Sequence, residues 1–149
     1  MFFKSLFAQK TANEDEKSAE TEMRHAVAAL FVEAARADEA YEDHEKEIID
    51  KALAGLFGVS TEAAADLRAS GETAQAEALD IQRFTRLAKS MAHEEKIEFI
   101  ERLWEVVLSD GERDPFEDAL IRRICGLIYV DDKDSGAARA RIAKRLNLS

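Results

Sequence analysis

An all-α, single-domain bundle of six to eight short helices, with an internal duplication of helical hairpins, is the fold that this sequence predicts. The 149-residue chain contains one proline and six glycines, too few turn residues for an all-β sandwich. Apolar residues recur three and four positions apart in one segment after another, and no segment sustains the alternation of a strand. With 46% hydrophobic residues, a chain of this length can bury a single core.

The apolar spacing predicts a series of helices. They cover residues 22–37, 43–57, 61–69, 81–91, 94–108 and 115–129, with a weakly specified helical stretch at 72–79 and a short basic helix that Asp134 or Ser135 caps. Gly58 and Gly71 are typical helix stops, and Ser60 and Asp80 are typical N-caps. The clearest start is Asp114-Pro115-Phe116-Glu117, which supplies a cap, a proline at the first helical position and an acid at the third.

The chain divides into a flexible or loosely docked segment over residues 1–20 and a helical domain over 21–149. Within the segment, Phe2, Phe3, Leu6 and Phe7 stand at helical spacing. We expect this apolar turn to dock on the core. Membrane contact is less favoured, because one short apolar turn with a single lysine anchors poorly.

Composition excludes several classes of protein. The formal net charge of −10 argues against a nucleic-acid partner. No apolar run approaches the roughly 20 residues that span a bilayer, so no stable membrane insertion is expected. One cysteine, Cys125, excludes a disulfide framework and is expected to be a buried small hydrophobe. With no secretory signal visible, we expect a cytoplasmic protein.

An internal repeat appears when the chain is shifted by 72 residues. The shift aligns Asp38 with Asp110 and Glu45 with Glu117, and it places Glu42 on Asp114. In both copies an apolar helix ends, an aspartate follows, and a second helix opens with an acid in its first turn. The pattern predicts two related helical hairpins whose loops could lie near each other.

The repeated acids form a candidate metal site. A hard cation such as Ca²⁺, Mg²⁺ or Mn²⁺ requires several oxygen ligands, and carboxylates at a loop-to-helix corner can converge on it. Two corners together offer six candidate ligands: Asp38, Glu42, Glu45, Asp110, Asp114 and Glu117. The alternative is structural, since acids at helix starts are favourable as caps and against the helix dipole. The spacing alone leaves both open.

These two corners carry a family resemblance. Residues 37–45, ADEAYEDHE, and 109–117, SDGERDPFE, resemble the paired corners of the TerB family, the tellurite-resistance-associated helical domain, in which A-D-G is followed by a glutamate. That family is related to the N-terminal domain of a DnaJ-type co-chaperone. The first corner departs from the pattern, with Glu39 where the family has glycine. The resemblance implies an all-helical fold with an internal duplication and an acidic site for a divalent metal.

The resemblance also implies a cytoplasmic role in stress response or as an adaptor. The residues show no nucleophile arrangement and no phosphate-binding loop, so we expect a non-enzymatic module that binds a divalent cation. The alternative is a metal-free protein-interaction domain whose acids are helix caps or a docking surface. Either reading predicts a protein partner, which the sequence does not identify, and neither predicts an oligomeric state.

Overall fold

The computed structural model describes residues 2–37, 41–109 and 115–148, with side chains from residue 14 onward. These residues form a single all-α domain of seven helices and contain no strand, which confirms the predicted class. The helices are α1 (Phe2–Arg36), α2 (Asp43–Phe57), α3 (Thr61–Glu77), α4 (Gln82–Ala88), α5 (His93–Leu108), α6 (Pro115–Ile128) and α7 (Asp132–Arg145).

The core is built around the second half of α1 and around α5. From Ala26 to Ala35 every residue except Glu33 is buried, because α1 packs against α3 and α4 on its sides and also contacts α5. Phe31 meets Phe99 edge to face, with ring centroids 5.2 Å apart. The sequence predicts one buried apolar face for each helix, whereas these two central helices bury residues on more than one face.

Several helix boundaries differ from the sequence prediction. α1 begins at Phe2 rather than Glu22, so the polar stretch before residue 21 is helical. α3 continues through Gly71 to Glu77 as one helix. α7 begins at Asp132, with Asp131 rather than Asp134 or Ser135 at its N-cap. α4 has Ile81 rather than the predicted Asp80 at its N-cap and ends at Ala88, before the predicted residue 91. The Asp80 carboxylate nevertheless accepts a hydrogen bond from the amide of Gln82, the first residue of the helix, at 2.8 Å.

Gly71 lies inside α3 because α1 approaches it closely. A Cβ atom built at Gly71 would stand 2.8 Å from the carbonyl carbon of Ala28 and 2.9 Å from the amide nitrogen of Ala29. No real side chain tolerates such contacts with backbone atoms, so glycine is required by packing rather than by a turn. α3 therefore continues through Gly71, although the neighbouring sequence predicts that a helix ends there.

Helix boundaries recur at a regular interval. α1 and α5 end 72 positions apart, at Arg36 and Leu108, and α2 and α6 begin 72 positions apart, at Asp43 and Pro115. α2 and α6 also end alike. Gly58 and Tyr129 adopt left-handed backbone conformations with φ of 64°, and the residue after each donates to a carbonyl five positions back, at 3.2 and 2.9 Å. This is the Schellman arrangement of a helix end.

The stretch of α1 that precedes its buried half is exposed. Residues 14–22, hereafter the exposed stretch, are all exposed, and Ala26 is the first buried residue among those whose side chains the structure describes. At the end of the exposed stretch, Thr21 and Glu22 line cavities beside α3. Searched over its described residues, the chain has no helix apolar and long enough to cross a membrane.

Candidate functional site

The two acidic corners connect α1 to α2 and α5 to α6. Three of the six predicted ligands, Asp38, Asp110 and Asp114, lie outside the described residues. The other three, Glu42, Glu45 and Glu117, are described. The helices that flank the corners are in contact with one another, since α5 packs on both α1 and α2 and α6 packs on α1.

Glu45 and Glu117 are buried at matching places. Each lies in the first turn of its helix, α2 or α6, with 7% and 4% of its surface exposed. In the described part of the chain they are the two carboxylates among four buried polar residues, the others being Thr85 and Ser135. Both make interactions. A carboxylate is almost never buried unless it is paired, hydrogen-bonded or bound to a metal.

Glu42 occupies the N-cap of α2 without using its side chain to cap the helix. Its backbone carbonyl accepts from the amides of Glu45 and Lys46, at 3.1 and 3.2 Å. Its carboxylate is exposed and lies 3.8 Å from the Nδ1 atom of His44. Capping therefore does not explain an acid at this position, whereas the carboxylate remains accessible to a cation or a basic partner.

Tyr41 lies in the first corner between two cations. The Arg36 guanidinium is 5.0 Å from the centre of the Tyr41 ring and the Lys46 ammonium is 5.2 Å from it. Burial raises the pKa of the Tyr41 phenol to about 12, the negative charge of Glu72 adds to the rise, and the guanidinium of Arg68 opposes it. Tyr41 is therefore neutral at physiological pH and contributes packing, not charge, to the corner.

An ion-pair network joins α1, α2 and α3, the helices next to the first corner. Arg68 on α3 donates to both carboxylate oxygens of Asp50 on α2, at 2.6 and 3.4 Å, and to Glu72 at 2.7 Å. The hydrogen bonds to Asp50 raise the pKa of the Arg68 guanidinium, against the effect of burial. Arg36, the last residue of α1, reaches the same Glu72 at 3.8 Å. Arg68 and Glu72 stand four residues apart on α3, but the sequence gives no local signal for their contacts with Asp50 and Arg36, which are distant along the chain.

The 72-residue shift also aligns Glu33 on α1 with Glu105 on α5. Each of these acids contacts another helix, α3 for Glu33 and α7 for Glu105. Glu33 accepts a hydrogen bond from Gln75 on α3 at 2.6 Å. Glu105 pairs with Arg145 on α7 at 2.7 Å. Both acids are thus engaged in holding helices together and are not candidate ligands.

A cavity of about 360 Å³ lies between α1, α3 and α4. Glu22, His25 and Arg83 contribute charged or polar groups to its wall, and Phe84 contributes an aromatic surface. None of the three described ligand candidates, Glu42, Glu45 and Glu117, lines this cavity.

No group of three or more His, Cys, Asp or Glu side chains that could hold a metal ion occurs among residues 2–37, 41–109 and 115–148. That search leaves out Asp38, Asp110 and Asp114, half of the predicted ligand set. The expectation for Cys125 is confirmed, since its thiol is buried and burial raises its pKa. Such a thiol is a poor nucleophile.

Comparison of the chain with curated proteins and with solved structures finds no match. Comparison with protein families finds one whose description is "Tellurite resistance protein TerB", and the match extends over residues 24–140. The matched region contains both acidic corners and all the helices from the buried half of α1 to most of α7. Because 117 of the 149 residues are matched, the chain belongs to the TerB family.

Proposed function

We propose that this protein is a non-enzymatic, cytoplasmic TerB module that binds a divalent cation through its two acidic corners, in stress response or as an adaptor. One observation carries the proposal. Glu45 and Glu117 are buried carboxylates in the first turns of α2 and α6, 72 positions apart. Both acids make interactions within the protein, and their carboxylate oxygens, placed alike in two helices that follow acidic loops, are of the ligand type that a divalent cation takes.

The chemistry of the donor set favours a hard cation. All six candidates are carboxylates, and Ca²⁺, Mg²⁺ and Mn²⁺ take oxygen ligands. Glu45 and Glu117 would supply the buried oxygens, Glu42 an accessible one, and Asp38, Asp110 and Asp114 the loop oxygens. When bound, the cation would neutralise part of the negative charge of these six carboxylates.

We also propose that the two corners descend from an internal duplication. Its support is the recurrence of helix boundaries at an interval of 72 residues, and the matching Schellman ends of α2 and α6. A duplicated site explains why both halves keep a buried glutamate at the same place. It also accounts for a binding site assembled from two equivalent contributions.

A thermal melt of EDTA-treated protein tests the cation. Ca²⁺, Mg²⁺ and Mn²⁺ are added one at a time, and an ion at 100 times its dissociation constant stabilises the folded state by about 2.7 kcal/mol. For a domain of this size that is a rise in Tm of roughly 5–10 °C. Glu45→Gln and Glu117→Gln should each reduce the rise. Glu47→Gln, an exposed neighbour on α2, is the matched control and should retain it.

Two results would contradict the proposal. One is the absence of any Tm rise with millimolar Ca²⁺, Mg²⁺ or Mn²⁺. The other is a rise that Glu45→Gln and Glu117→Gln leave unchanged, because the ion would then bind elsewhere. Isothermal titration of the same variants gives the number of ions bound for each chain.

A metal-free protein-interaction domain is the second candidate. It is favoured by Phe116, which is 78% exposed although it lies beside the buried Glu117 at the second corner. An exposed aromatic residue next to carboxylates is suited to a partner with apolar and basic groups. Affinity capture with the wild type and with Phe116→Ser distinguishes this candidate, which requires partners that the variant loses and that EDTA does not release.

A further inference from the structure

We propose that the cavity between α1, α3 and α4 binds a free amino acid that has an apolar side chain. The carboxylate of the ligand pairs with Arg83, its ammonium group pairs with Glu22, and its side chain lies against Phe84. This inference does not depend on cation binding at the acidic corners, because none of the described ligand candidates lines the cavity.

Small side chains leave this cavity open where α1 packs on α3. Ala26 on α1 and Ser70 and Ala74 on α3 all line it. Because none of these side chains is long, the space that they face remains unfilled. Its volume of about 360 Å³ falls within the range of roughly 300–1,000 Å³ that is typical of small-molecule sites. The cavity can therefore hold a small organic molecule.

The cavity has an apolar floor and a polar rim. Ala26 and Phe84 form the floor, with 2% and 3% of their surfaces exposed, and Leu87 is half-buried beside them. The lining residues that are polar and exposed form the rim: Glu22, His25, Ser70 and Arg83. Small-molecule sites combine an apolar surface of this kind with a few polar groups that orient the ligand.

Charges of opposite sign lie on the two sides of the rim, Glu22 on α1 and Arg83 on α4. Neither residue forms an ion pair with any side chain described over residues 14–37, 41–109 and 115–148. The Arg83 guanidinium lies 5.9 Å from the centre of the Phe84 ring, and its parallel N–H groups match the two oxygens of a carboxylate. A ligand that carries both charges can therefore pair with both residues at once.

The rim favours a zwitterion over a ligand with a single charge. Arg83 attracts a simple anion but Glu22 repels it, and a simple cation meets the opposite effects. A free amino acid carries an ammonium group and a carboxylate on one carbon, together with a side chain that can pack on Phe84 and Leu87. Either end of a peptide carries only one of the two charges and is therefore less suitable.

Ligand-observed NMR titration of the EDTA-treated, full-length protein tests the proposal, with L-phenylalanine as the probe. Three related probes each lack one feature. N-acetyl-phenylalanine has no ammonium group, phenylalanine amide has no carboxylate, and glycine has no apolar side chain. We expect each of the three to bind roughly tenfold or more weakly than L-phenylalanine, because each loses a charged hydrogen bond or the burial of an apolar group.

Variants of the two charged residues identify their partners on the probe. Arg83→Gln should weaken the binding of L-phenylalanine roughly tenfold and leave that of phenylalanine amide unchanged. Glu22→Gln should weaken the binding of L-phenylalanine to a similar extent but not that of N-acetyl-phenylalanine. The matched controls are Arg86→Gln on α4 and Glu16→Gln on α1, which change exposed residues outside the cavity wall and should retain the affinity.

A second cavity lies next to the first and must be distinguished from it. Its volume is about 270 Å³, it shares His25 and Ser70 with the first, and Asp66 also lines it. Asp66→Asn should therefore bind L-phenylalanine as the wild type does. Ala74→Leu should abolish binding, because the larger side chain extends into the first cavity.

Tm separates binding from folding, since Glu22 and Arg83 are exposed and their variants should melt as the wild type does. A fall in Tm in both would show that these residues hold the fold, and it would overturn their assignment. No binding of L-phenylalanine at millimolar concentration, or equal affinity for all four probes, would overturn the proposal. So would binding that survives Ala74→Leu or that Asp66→Asn weakens as much as Glu22→Gln does.

Discussion

Gly71 shows how one residue sets the distance between two helices. Its missing side chain lets the α1 backbone approach to within 3 Å of the place where a Cβ atom would stand. The close approach of α3 to α1 therefore depends on the absence of a side chain at this one position.

Gly71→Ala is expected to destabilise the protein by about 1–3 kcal/mol, because backbone atoms of α1 must move to admit the new methyl group. The gain of about 1 kcal/mol in helix propensity opposes this only in part. Gly126→Ala is the control, since α6 has open space at that position, and it should stabilise by up to about 1 kcal/mol. Urea unfolding of both variants measures the difference, and equal effects would contradict the packing argument.

At the scale of the element, α3 and α7 are attached by ion pairs of unequal burial. Arg68 and Asp50 join α3 to α2 with 18% and 17% of their side chains exposed. Arg145 and Glu105 join α7 to α5 with 56% and 31% exposed. Exposed pairs contribute little, because water and salt screen them. The first attachment should therefore be the stronger.

Arg68→Met should cost about 2 kcal/mol, the typical value of hydrogen bonds to a charged group, since Asp50 loses its partner. Arg145→Met should cost less than about 1 kcal/mol. Chemical denaturation at low and at high salt measures both variants. Two results would contradict the inference that the more buried pair is the stronger. One is an equal loss of unfolding free energy in both variants, and the other is a loss in Arg145→Met that salt does not reduce.

Helices could be predicted from the sequence where neighbouring residues determine them. Apolar spacing predicts α2 and α5, and Asp114-Pro115 predicts the start of α6, because caps and periodicity lie within a few residues. The passage of α3 through Gly71 was not predictable, since its cause is a backbone far along the chain. For the site, spacing identified Glu45 and Glu117 but not the network of Arg68, which tertiary packing assembles.

At the scale of the whole molecule, the described core begins late in α1. The TerB match begins at residue 24, and Ala26 is the first buried residue among those whose side chains the structure describes. The division of the chain near residue 20 stays a prediction. It implies that stability resides in the part of the chain that follows the exposed stretch.

Removal of residues 1–20 should leave Tm within roughly 3 °C of the full-length value, because a change of 1 kcal/mol corresponds to about 2–4 °C at this size. Helix content by circular dichroism should fall in proportion to the residues removed. Differential scanning calorimetry makes the comparison, with removal of residues 1–30, which cuts into the core, as the control. A fall of 10 °C or more in the shorter truncation would show that the segment packs on the domain.

Trp104 is the single tryptophan of the chain, and it is nearly buried between α5 and α7, where its indole N–H donates to Ser135 at 3.1 Å. Its emission spectrum consequently reports the separation of α7 from α5. Circular dichroism reports all seven helices at once. Melting curves from the two signals therefore show whether α7 separates from α5 together with the unfolding of the other helices or at a different temperature.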